Sequence, residues 1–112
     1  MIDAVAAQDQ AALAECFAST AEFRALTPSG VRERSGADET SALISQWFAD
    51  STELQLAGSE NAEVGDRLHI SYRFAGVEDG EAYIVEQHLF CTTSNGKIVQ
   101  ADLLCSGFCP SE

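Results

Sequence analysis

Positive charge is scarce in this chain: six Lys and Arg stand against eighteen Asp and Glu in 112 residues, a formal net charge of −12. Nucleic acids and anionic membranes are bound by Lys and Arg that neutralise phosphate, so neither is expected as a partner. No apolar run approaches the roughly 20 residues that a membrane-spanning helix needs. The opening MIDAVAAQDQ carries acid where a secretory signal has a basic flank and a cleavage site, and the cytoplasm is the expected compartment. Internal repeats, linkers and low-complexity segments are also missing, so residues 1–112 read as one domain with room for one core. A hydrophobic share of 46% is ordinary for a globular chain, and disorder is not expected.

The four cysteines, Cys16, Cys91, Cys105 and Cys109, lack the context of a disulfide scaffold, which belongs to secreted domains. Cys105 and Cys109 do not have the two-residue spacing of a zinc knuckle, and His69 and His88 are far from them in sequence. Free buried thiols are the reading, with a redox pair or metal site as the alternative. No metal and no cofactor is assigned.

What is present is a change of period along the chain. Residues 2–7 read as a short helix, and Asp9 can cap a second over residues 10–18, where Leu13, Cys16 and Phe17 recur at helical spacing. AEFRALT, residues 21–27, reads as a strand stopped by Pro28-Ser29-Gly30. Gly36-Ala37-Asp38 opens a third helix with an apolar stripe of Leu43, Ile44, Trp47 and Phe48. Strands follow at 53–57, with a possible continuation toward Val64, then at 67–75, 82–92 and 97–108. Leu68, Ile70, Tyr72 and Phe74 alternate with His69, Ser71 and Arg73, so one face of that strand is buried. The closing stretch YIVEQHLFCTTSNGKIVQADLLCSGF is an antiparallel hairpin around Ser94-Asn95-Gly96-Lys97. Helices first and a meander of strands after predict an α+β fold, a curved sheet wrapped around helices and enclosing a pocket.

Several local motifs fall in a telling order: Asp9-x-x-x-Leu13-x-x-x-Phe17, Ala21-Glu22-Phe23-Arg24, Arg34-Ser35-Gly36, Trp47-Phe48-Ala49-Asp50, Tyr72-Arg73-Phe74, and His88-Leu89-Phe90 leading to Asn95-Gly96-Lys97-Ile98. Over nearly its whole length the chain resembles the SnoaL-like and nuclear transport factor 2-like group, whose ketosteroid isomerase-type members share a cystatin-like α+β cone. The resemblance implies a strongly curved, mostly antiparallel sheet with N-terminal helices closing one side and a concave face lining a cavity. Many members pair as homodimers through the convex face.

By that resemblance Leu68, Ile70 and Tyr72 point inward, as do Val85, Gln87 and Leu89, and Ala101, Leu103 and Cys105. His69, Arg73, Glu86 and His88 point to the convex side, where Glu86 and His88 can hydrogen-bond at a dimer interface. A three-residue loop Ser94-Asn95-Gly96 would pair Gln87 with Leu103. A two-residue Asn95-Gly96 loop would shift the register by one and turn Cys105 to the other face. The longer loop is the expectation.

Isomerase-type members need a carboxylate base and an oxyanion hole of tyrosine plus protonated carboxylic acid. The base position at the end of the first strand holds Leu26-Thr27-Pro28, and a threonine hydroxyl is no general base near neutral pH. The acid-donor position falls near Gln87, and the tyrosine belongs on a longer first helix than this one. Ketosteroid isomerase chemistry is therefore not expected. Candidate ligand-binding residues are Thr27, Trp47, Leu68, Ile70, Tyr72, Val85, Gln87, Leu103 and Cys105. Each has a plainer role as core or turn residue. Tyr72, Gln87 and Cys105 are the candidates for catalysis, Cys105 as a thiol nucleophile that would need a nearby cation or base. Arg32 and Arg34, placed in a loop near the cavity mouth, could guide a carboxylate-bearing ligand or form ion pairs with Glu33, Asp38 or Glu39.

The leading reading is a homodimer that binds a small, mainly apolar molecule in the cone. The alternatives are a SnoaL-like isomerase, cyclase or dehydratase with unconventional residues, and a non-catalytic protein-interaction domain.

Overall fold

A computed structural model of the chain describes residues 1–111. Two short helices, α1 (Ile2–Ala6) and α2 (Gln10–Glu15), lead into β1 (Phe17–Thr27) and β2 (Gly30–Ser35). Helix α3 (Ala37–Phe48) follows, then the long strands β3 (Ser51–Val64), β4 (Arg67–Glu78), β5 (Glu81–Ser94) and β6 (Lys97–Cys105), and a two-residue β7 (Cys109–Pro110). The strands form one sheet in the order β2-β1-β6-β5-β4-β3, with β7 on β5. Only β1 and β6 run parallel; the other pairs are antiparallel. The sheet is large, curved and unclosed, with α3 packed against β1 and β2 and α2 against α3. No helix among the described residues is long and apolar enough to cross a membrane.

Local chemistry accounts for the helix ends. The Asp9 carboxylate accepts from the Ala12 amide at 3.1 Å and caps α2, and Asp38 and Glu39 sit in the first turn of α3, where the helix dipole favours acid. Helix α2 stops at Glu15 instead of running to residue 18. Phe17 is fully buried as the first residue of β1, paired with Ile98, and the Cys16 carbonyl accepts from the Ile98 amide. Its helical spacing from Leu13 is incidental, because strand pairing with β6 claims it. Residues 30–35, expected as loop, form strand β2. Val31-Arg32-Glu33-Arg34-Ser35 alternates with period two, but charges occupy positions where an apolar strand face would announce itself.

The core lies between the helices and the inner sheet face. Tyr83, Val85, Gln87, Leu89 and Cys91 of β5 are all buried in strict alternation. Phe48 of α3 meets Phe74 edge-on at 5.7 Å between ring centroids and Phe108 at 5.5 Å. All four cysteines are free thiols, and Cys109 is exposed.

The closing hairpin departs from the expected register. Ser94 pairs with Lys97, so the loop is the two residues Asn95-Gly96, both with positive φ, 54° and 78°. This is the combination that matches the twist of the flanking strands. Beyond it, Thr93 pairs with Ile98 but Thr92 with Gln100, so Val99 is an extra residue in β6. The bulge offsets the one-residue shift, and the inward face continues through Ala101, Leu103 and Cys105. Gln87 consequently lies opposite Cys105, not Leu103.

Candidate functional site

Of the nine sequence-predicted ligand residues, the fold separates three from the rest. Val85 and Gln87 are fully buried, Tyr72 and Leu103 nearly so, and all four are packed into the core. Leu68 and Ile70 are half-buried at its margin. Thr27, Trp47 and Cys105 border a cavity of about 520 Å³ between α3, the β1–β2 turn and the segment after β6. Its apolar walls come from Leu43 and Trp47 of α3, facing Pro28 and Phe108. Arg32 and Arg34 of β2, with Thr27, Ser29 and Gln46, supply the polar rim, and Cys105 and Gly107 complete the lining. Gly107 adopts φ +87°, and a Cβ there would come within 2.8 Å of Pro28 Cγ, so the close approach of these two segments requires glycine.

Behind Cys105 lies a buried polar chain. The Tyr72 hydroxyl donates to Gln87 Oε1 at 2.6 Å, and Gln87 Nε2 donates to Cys105 Sγ at 3.4 Å. The Gly107 amide donates to the same sulfur at 3.4 Å. A fully buried amide is costly unless both ends are satisfied, and here the tyrosine fixes which end faces the thiol. Burial pushes the Tyr72 phenol far above its ordinary range, and Cys105 adds in the same direction, so Tyr72 stays a donor. Tyr72, Gln87 and Cys105 do come together, but only the cysteine reaches the cavity. No carboxylate or imidazole is among the lining residues, so neither supplies a general base there.

The outer face of the sheet carries a second constellation. Arg73 donates to Glu86 at 2.8 Å, His88 Nε2 donates to Glu86 Oε2 at 2.9 Å, and His69 Nε2 and His88 Nδ1 share a hydrogen bond at 2.9 Å. His69 also stacks on Phe90 with 4.5 Å between centroids. The His88 hydrogen bond, then Arg73, holds the Glu86 carboxyl below its usual range. At the start of the same strand β4, Arg67 reaches Gln100, Asp102 and the Phe90 carbonyl, a hub whose partners are 23 to 35 residues away in sequence. Val31, Leu26 and Leu104 pair across β2, β1 and β6 on this same face, each at least half exposed.

With cone, helices and cavity in view, the sequence profile of the SnoaL-like domain matches residues 1–101. The chain belongs to the SnoaL-like family. Solved structures agree on its fold. A protein of ketosteroid isomerase-like fold from Catenulispora acidiphila, in complex with trimethylamine, is 17% identical with a TM-score of 0.72, covering 89% of this chain and 77% of that one. A proposed polyketide cyclase from Xanthomonas campestris is 18% identical with a TM-score of 0.71, covering 91% and 82%. A nuclear transport factor 2-like protein from Burkholderia thailandensis is 17% identical with a TM-score of 0.72, covering 94% and 84%. At these identities the likeness shows the fold alone. Among curated proteins, none matches the chain.

Proposed function

We propose that this SnoaL-like protein binds a small, mainly apolar molecule in the cavity beside α3 and does so as a homodimer joined through the outer sheet face. The observation that carries the reading is a space of about 520 Å³ whose walls are Leu43, Trp47, Pro28 and Phe108, with a few polar groups at its rim. Volume and composition are those of a small-molecule site. Native mass spectrometry of freshly purified protein tests both parts. A retained mass of small-molecule size on a two-chain species is expected; a bare monomer at micromolar concentration overturns the dimer. Binding is tested with the neutral fluorophore N-phenyl-1-naphthylamine, which brightens in an apolar site, and an absence of saturable brightening overturns the pocket. For the dimer, His88→Glu places another negative charge beside Glu86, and Leu104→Arg places a cation in the exposed apolar strip. Both are expected to shift sedimentation toward monomer.

A second reading, catalysis of the cyclase or isomerase kind that some fold neighbours are named for, rests on one feature. Two N–H donors converge on the Cys105 sulfur where it borders the cavity. That reading requires a titrating group in the pH–rate profile on carbonyl and lactone substrates, lost in Cys105→Ala. A flat, background-level profile excludes it.

A further inference from the structure

We infer that the molecule held in the cavity carries a carboxylate, and that Arg32 and Arg34 receive it. The inference rests on the small-molecule reading above and adds the charge of the ligand. Three of the five arginines are matched to acids: Arg24 and Arg67 to Asp102, at 3.5 and 3.2 Å, and Arg73 to Glu86 at 2.8 Å. Arg32 and Arg34 are not. Among the described residues no carboxylate oxygen lies within 4.0 Å of either guanidinium, in a chain with three times as many acids as bases.

The strand explains why. Alternation along β2 exposes Val31, Glu33 and Ser35 on one face and leaves Arg32 and Arg34 half-buried on the other, at the cavity. Glu33, their neighbour in sequence, is therefore on the wrong side to pair with them. Their hydrogen bonds go to neutral groups only. Arg32 donates to Ser29 Oγ at 3.2 Å and to its neighbour's carbonyl at 3.3 Å, and Arg34 donates to the Glu33 carbonyl at 2.7 Å. Ser29 is itself steadied by Thr27, whose hydroxyl lies 3.1 Å from it and donates to the Gly30 carbonyl at 2.9 Å. Each guanidinium has five N–H donors in a planar fork, so most remain available, in the geometry that fits a carboxylate. Half-burial strengthens such a contact relative to open water. Across the cavity, Trp47, Leu43 and Phe108 offer mainly apolar surface and no charge. The ligand this arrangement fits has an apolar body against α3 and an acid end against β2.

Isothermal titration of the full chain with 2-naphthoate and its neutral counterpart 2-naphthamide tests this. The wild type is expected to bind naphthoate at least about tenfold more tightly, as charge-assisted pairing predicts. In the Arg32→Gln, Arg34→Gln double variant the preference should vanish while naphthamide affinity holds, and Trp47→Ala should weaken both ligands alike. Raising salt to about 0.5 M should weaken naphthoate alone in the wild type, a readout that needs no variant. Equal affinities in the wild type, or a preference that survives in the double variant, overturn the carboxylate and leave the pocket standing. Failure of both compounds to bind overturns both readings.

Discussion

The inner face of the sheet and the cavity beside α3 meet at Cys105, yet they handle polar groups in opposite ways. On the inner face each buried polar atom of Tyr72 and Gln87 is given a partner: the Tyr72 hydroxyl donates to the amide oxygen, and the amide nitrogen donates to Cys105. Around the cavity, Arg32 and Arg34 are half-buried with charge left uncompensated. The difference is one of access. An unpaired polar group in a closed interior is costly, whereas a cavity can leave one for a ligand to satisfy. Substitutions in the first region should therefore read out as stability, and in the second as binding.

The sharpest way to break that division is a large deletion in the interior. Leu89, fully buried on β5, should cost about 2–5 kcal/mol when replaced by alanine, measured by urea denaturation. Binding of N-phenyl-1-naphthylamine to the fraction that remains folded should be unchanged. Next in size is the polar chain. Gln87→Met strands the Tyr72 hydroxyl in the core and should cost about 1–3 kcal/mol, and adding Tyr72→Phe should return part of it. Strictly additive losses would mean that the two side chains are not coupled.

At the cavity the order of effects reverses. Trp47→Ala should weaken the naphthylamine probe about tenfold, roughly 1.4 kcal/mol, while the urea midpoint moves less than for Leu89→Ala. A variant that unfolds readily but binds normally when folded would return Trp47 to the core. The smallest effect is on the outer face. Burial raises the Asp102 carboxyl, but hydrogen bonds from Gln100 and Arg67 and the charges of Arg67 and Arg24 outweigh it and hold the group below its usual range. A depressed folded-state value contributes stability above the unfolded value of about 3.9, and that contribution is lost as pH falls through the folded value. The melting-temperature gap between wild type and Asp102→Asn should thus be present at neutral pH and close under acid. A gap independent of pH would assign the effect of Asp102 to packing.

Much of this was legible because period and burial coincide. The alternation at Tyr72 and Phe74 and the α3 stripe declare which side faces inward, and the structure buries Tyr72, Phe74, Leu43, Ile44 and Phe48. Leu68 and Ile70 are only half-buried, as is His69 on the other face. Where the reading slipped, long-range pairing had overridden a local pattern. Phe17 sits at helical spacing from Leu13 but is drawn into β1 by Ile98. The alternation in Val31 to Ser35 carries arginines on its inner face, a choice that makes sense only beside a cavity. Asn95-Gly96 did announce a tight turn, but the bulge at Val99 has no local signature, and it is the bulge that returns Cys105 to the inner face.

The sequence by itself determined the order of the helices and long strands and the inward side of β4 at Tyr72 and Phe74. These follow from local chemistry and side-chain period. Only the tertiary structure decided that Tyr72 and Gln87 are spent on each other inside the core while Cys105, Trp47, Arg32 and Arg34 border open space. That outcome depends on how far the sheet bends and where the segment after β6 crosses the Pro28 turn, distances that span most of the chain and leave no trace in any one stretch of it.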